Sequence, residues 1–142
     1  MVKGLEEYIK KYRIRKDKYG RLIFYKAVLN TRASIWAHLT PDAYLDNAEV
    51  RCRHFSGNRQ LACGSGLHVG TLAFAKNFQG SSRLRIVIQV AVWPEDVVCV
   101  PRYALIPGWT YMTSKDSQQR LMSKYRAKIR VKKLRVIKEV TW

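Results

Sequence analysis

Acidic residues are scarce in this chain of 142 residues, where 10 Asp and Glu stand against 27 Lys and Arg for a formal charge of +17. So few carboxylates offer no obvious metal-carboxylate cluster. Cysteine is scarce as well: Cys52, Cys63 and Cys99 are an odd number in a chain without a secretory signal, which argues against a disulfide framework and for reduced thiols. No apolar run approaches the roughly 18 residues of a membrane span, and the opening "MVKGLEEYIKKYRIRK" carries charges where a signal peptide needs an apolar stretch. A soluble intracellular protein with no membrane span is expected. The phosphate-binding G-x-x-x-x-G-K-[ST], the dinucleotide fingerprint G-x-G-x-x-G, H-E-x-x-H and G-x-S-x-G are all missing, so no cofactor is implied. Internal repeats, heptads and low-complexity tracts are absent too.

What is present fits one domain over residues 1–142, since a chain of this size with 47% apolar residues can build a core unaided. Residues 1–19 read as a basic N-terminal helix and lead-in, and 20–140 as the core. Charge collects at the two ends: the first 26 residues hold nine basic and three acidic residues, and from Arg120 to Lys138 there are nine basic residues and no acidic one. A field of this sign favours nucleic acid, an anionic lipid surface or an acidic protein as partner.

Periodicity supplies the elements. Leu5, Tyr8, Ile9 and Tyr12 recur at helical spacing, with Glu6 and Glu7 in the first turn, where they suit the helix dipole. "LIFYKAVL" (22–29) is a β-rich run of strand length after a turn at Gly20, whereas residues 30–48 read as a loop with at most one helical turn. "EVRCRHF" (49–55) alternates Val50, Cys52 and His54 against Arg51, Arg53 and Phe55. Thr71 is the expected N-cap of a two-turn helix that aligns Leu72, Ala75 and Phe78 and stops near Gly80. Residues 83–93 form the clearest strand, central in a sheet, with Leu84, Ile86, Ile88, Val90 and Val92 on one face. A short strand over Val97–Val100 ends at Pro101, residues 102–114 read as a loop, and a helix is expected from Ser114. The last strand, "AKIRVKKLRVIKEV", changes parity at Lys132 and Lys133, and a β-bulge there would keep Ile129, Val131, Leu134 and Val136 inward. The predicted class is α+β: a mixed, mostly antiparallel sheet of five or six strands with short helices.

The stretch "CGSGLHVG" (63–70) concentrates chemistry-bearing residues. With Cys52 and His54, Cys63 and His68 give C-x-H-x8-C-x4-H, four ligands of the right type for zinc. That spacing matches no common C-x2-C or H-x3-5-H pair, and a buried cysteine acting as a small hydrophobe is the commoner outcome, so no metal is predicted. Cys63 as a nucleophile needs a base, and His68 stands five residues away across a glycine turn. The minimum reading is a turn, with Gly64 and Gly66 free to adopt positive φ and His68 at the edge of a pocket or held in the core by backbone groups.

The motifs C-x-x-G-L-H-V at Cys63, Gly66, Leu67, His68 and Val69, P-x-D-V-V-x-V-P at Pro94, Asp96, Val97, Val98, Val100 and Pro101, and the final Ala127, Lys128 and Arg130 occur in one order. Together they resemble the C-terminal domain of the rIIB lysis-inhibition proteins of tailed phages, over about residues 20–140. The chain lacks the long N-terminal part of those proteins, and "ALIPGWTYMTSKDSQQRLMSKY" before the last strand reads as an insertion. A second resemblance is one of layout: "GSGLHVGTLAFAKNF" is similar to the turn, strand and helix of ADP-ribosyltransferases, in which His68 takes the place of the aromatic that stacks on nicotinamide. That family's histidine-glycine motif has no counterpart in "FYKAV", and Glu139 is the nearest match to its catalytic glutamate.

The expectation is therefore a phage-type accessory protein of the host-cell cytoplasm, serving host takeover or counter-defence by binding and not by catalysis. Arg120, Lys124, Arg126, Lys128, Arg130, Lys132 and Arg135 are predicted to form one exposed strip for a polyanion, with Trp109, Tyr111 and Tyr125 as stacking partners for nucleic acid. Two alternatives remain open. One is an ADP-ribosyltransferase-like or nucleotide-binding domain with a pocket at Tyr25, Cys63, Gly66 and His68, and the other is a stoichiometric inhibitor of an acidic host protein.

Overall fold

A computed structural model of the chain describes residues 1–35, 41–61, 64–105 and 126–142. In chain order these form helix α1 (Leu5–Tyr12), strands β1 (Leu22–Leu29), β2 (Glu49–Arg51) and β3 (Leu67–Val69), helix α2 (Leu72–Gln79), and strands β4 (Arg85–Val92), β5 (Val97–Cys99), β6 (Ile129–Val131) and β7 (Lys133–Val140). The α+β class holds, and every described strand pairing is antiparallel. The strands divide between a four-stranded sheet of order β1-β4-β7-β2 and a three-stranded sheet of order β3-β6-β5. The helix expected from Ser114 lies outside the described residues.

β1 and β4 pair along their full length, from Leu22 opposite Val92 to Leu29 opposite Arg85. Their alternation sends Leu22, Phe24 and Val28 and, opposite them, Ile88, Val90 and Val92 into one apolar cluster. The same cluster takes Leu67 and Val69 from β3, Val97 from β5, and Ile129 and Val131 from β6, so both sheets share it. Each such side chain, fully buried, contributes about 1.5–3 kcal/mol. α1 adds Leu5 and Tyr8, and the Tyr8 hydroxyl donates to the Ala127 carbonyl.

The other face of β1 and β4 is not solvated, because α2 covers it: Phe74 and Ala75 bury Val87, and Arg85 Nη1 donates to the Phe78 carbonyl at 2.9 Å. Thr71 caps this helix, its hydroxyl accepting from the Phe74 N–H at 3.2 Å. Leu84, expected inward, is 66% exposed: it lies beyond the β1–β4 ladder, which ends at Arg85, and its carbonyl accepts from the Asn30 N–H at 2.7 Å.

The parity change at Lys132 marks a change of sheet. Val131 pairs with Leu67 and Val97 in the three-stranded sheet, while Lys133 pairs with Arg51 in the other. At this corner the Lys132 N–H donates to the Asp96 carbonyl and its own carbonyl accepts from the Cys52 N–H, each at 2.9 Å. Ile129, Val131, Leu134 and Val136 are all buried, as the expected bulge required. β2 is shorter than expected because β7 offers it only three partners, so the chain leaves the ladder after Arg51 and His54 is exposed.

Candidate polyanion-binding site

The predicted basic strip divides. Lys132 and Arg135 are exposed and Arg126 is half-buried, but Lys128 is only 6% exposed and Arg130 not at all. Arg120 and Lys124, like Trp109, Tyr111 and Tyr125, lie outside the described residues. Alternation alone assigns Lys128 and Arg130 to solvent. Arg130 is buried because β6 is the middle strand of its sheet and Asn58, Gly64 and Gly66 lie against its side chain. There Arg130 Nη2 donates to the Asn58 carbonyl and meets Cys99 Sγ, both at 2.6 Å, while Nε and Nη1 find no partner among the described residues. Gly64 makes room for this guanidinium, since a Cβ there would lie 2.0 Å from Nη1. Of the two glycines expected to turn the chain with positive φ, Gly66 does so at +141°.

Around the exposed half of the strip the β2–β7 corner forms a groove. One recess of about 340 Å3 is lined by Arg51, Cys52, Asp96, Lys132 and Lys133. A second shares Asp96 and Lys133 with it and adds Arg21, Glu49, Arg135 and the rim residue Trp93, which is 40% exposed. Five cations thus face two carboxylates. Lys133 lies 3.6 Å from both Glu49 and Asp96, and Arg51 lies 3.3 Å from Glu49. Burial raises the Glu49 carboxyl, but the Arg51 hydrogen bond and the charges of Arg51, Lys133 and Arg135 outweigh it and hold the group below its ordinary value. Lys132 and Arg135 have no carboxylate partner among the described residues; Arg135 Nη1 donates to the Asn47 carbonyl at 2.8 Å. They are the charges most available to a ligand.

The second predicted site is only partly assembled. His68 lines a recess beside β1 with Lys26, Ala27, Ser34, Phe74 and Phe78, but Tyr25 does not. Tyr25 instead accepts from Gln89 Nε2 at 3.3 Å, and its backbone pairs with Gly70. Gly66 shapes the turn before His68, and Cys63 lies outside the described residues. His68 Nε2 donates to the Gly64 carbonyl at 2.8 Å, the backbone-satisfied arrangement weighed from sequence. Burial first, then the charges of Lys26 and Lys128, lower its pKa to about 4, the Gly64 bond acting in the opposite direction and Arg130 adding to the fall. A neutral imidazole with Nε2 committed to a carbonyl keeps only Nδ1 for other work. Cys52 turns its thiol toward the Val131 carbonyl at 3.6 Å, and among the described residues no three His, Cys, Asp or Glu side chains converge.

Sequence reasoning missed Lys26, Arg51, Lys133 and Trp93. For Lys26 the signal was present: it occupies the inward parity of β1 with Leu22, Phe24 and Val28, and it is 9% exposed. Set beside known proteins, the chain matches no family model, no curated protein and no solved structure.

Proposed function

We propose that the chain acts by binding nucleic acid through the β2–β7 groove. The observation that carries this reading is the convergence of Arg21, Arg51, Lys132, Lys133 and Arg135 on one groove with two carboxylates and an exposed tryptophan at its rim. The cations supply phosphate contacts, and Trp93 offers a face on which an unpaired base stacks. The recess at His68 gives the nucleotide-binding alternative little support: its inner space of about 30 Å3 has room for about two waters and none for a nucleoside. In the wider setting implied by the resemblance to rIIB proteins, such binding would serve a phage accessory role in host takeover or counter-defence, in the host cytoplasm. With a generic single-stranded oligonucleotide, log K should fall linearly with log salt. The double charge reversal Lys132→Glu and Arg135→Glu should weaken binding at least tenfold and reduce the slope by about 0.7 for each phosphate that is no longer neutralised. An unchanged affinity and slope would remove nucleic acid as the ligand of this groove and favour an acidic protein.

A further inference from the structure

Two buried cations, Lys26 and Arg130, have no carboxylate beside them among the described residues. Lys26 of β1 points inward. Its ammonium donates one N–H to the His68 carbonyl at 2.8 Å and lies 5.8 Å from the centre of the Tyr44 ring. An ammonium has three N–H groups, so donors are left over at the recess that Lys26 lines. Arg130, opposite His68 in the β3–β6 pairing, is fully buried, and its Nε and Nη1 have no partner among the described residues. Lys128 is buried in the same region, close enough for its charge to act on both Lys26 and His68. Asp96, the buried acid among the described residues, is engaged with Lys133 in the β2–β7 groove.

Uncompensated buried charge is costly, and the remedies are neutralisation or a bound ion of opposite sign. We propose that the recess beside β1 is a binding site for a single phosphate group, held by the Lys26 ammonium in the space that His68, Phe74 and Phe78 line. The inner space of about 30 Å3 matches one small oxyanion and is open to solvent, so the remainder of a phosphate monoester would lie outside the recess. The direction of the Lys26 shift agrees: burial and the Lys128 charge lower it to about 8, a strain that an anion would relieve. Unlike the groove, this site is built from inward-facing residues, and it does not depend on the nucleic-acid reading.

The test is thermal unfolding of the full chain at fixed ionic strength, in sodium chloride, in inorganic phosphate and in a nucleoside 5′-monophosphate. Binding to the folded state should raise Tm by about 5 °C at a tenfold excess over Kd. Lys26→Met, similar in volume and uncharged, should unfold at or above the wild-type temperature in chloride and lose the response, while Lys132→Glu/Arg135→Glu should keep it. A response to inorganic phosphate alone identifies the free ion, and an equal or larger response to the monophosphate identifies an ester. The proposal is overturned by the same Tm in chloride and in both phosphate probes, or by a response that survives in Lys26→Met and vanishes in the groove variant.

Discussion

His68 and Lys26 are held in low-pKa states by the same surroundings, and each leaves its mark on stability in a different pH range. Unfolded, His68 titrates near 6.5; folded, it is lowered to about 4, so between these values the unfolded chain binds the extra proton. Its contribution is complete above pH 6.5 and is lost as pH falls toward 4, by at most about 3 kcal/mol. Lys26 falls from 10.5 to about 8, so the folded chain releases its proton first and stability rises from pH 8 upward until the buried phenols of Tyr8 and Tyr44, which are pushed up, oppose it above pH 10. Denaturant midpoints measured from pH 4.5 to 9.5 should therefore climb at both ends. His68→Gln should flatten the acid limb alone, and Lys26→Met should abolish the alkaline limb and, by removing a charge that lowers His68, shorten the acid one; an alkaline limb that survives in Lys26→Met would deny that Lys26 causes it. At this scale the sequence was half legible. The inward lysine follows from the parity of "LIFYK", but the burial of Arg130 depends on where Asn58, Gly64 and Gly66 lie, and no periodicity encodes a loop's place against a neighbouring strand.

Helices and strands were legible where their stabilising pattern is local. Thr71, a helical spacing and Gly80 define α2, and the alternation from Ile86 to Val92 defines β4. The failures are non-local. His54 left its expected strand because β2 has only three partners on β7, and the last strand became β6 and β7 because its parity change marks a crossing between sheets. The turn into β3 links local geometry to that packing: Gly66 stands at φ +141°, and a Cβ there would also lie 3.3 Å from Arg130 Cβ, close against the strand that pairs with β3. Gly66→Ala should destabilise the chain by 1 kcal/mol or more, about 1 for the backbone conformation and the rest for the contact. Chemical denaturation measures it, and a change below about 0.3 kcal/mol would mean that the turn relaxes freely.

Over the whole molecule the charge of +17 acts on folding and on binding with opposite dependence on salt. Composition made this field legible but not its focus, because placing Arg21, Arg51 and Arg135 on one groove requires β1, β2 and β7 to be assembled first. Folding draws together cations that the unfolded chain keeps apart. Self-repulsion therefore weakens the compact state, and raising salt from 0.05 to 0.5 M shortens the screening length from about 14 Å to about 4 Å. Tm at pH 7 should rise with sodium chloride over this range while affinity for a single-stranded oligonucleotide falls. The two trends separate the roles of the charges: Lys132→Glu/Arg135→Glu, by removing repulsion at the β2–β7 corner, should raise Tm most at low salt, where the wild type binds best. If Tm instead fell with salt in the wild type, attractive pairs such as Arg21–Asp17 at 2.7 Å and Arg32–Asp46 at 3.0 Å would outweigh the repulsion, and the excess positive charge would carry no stability cost.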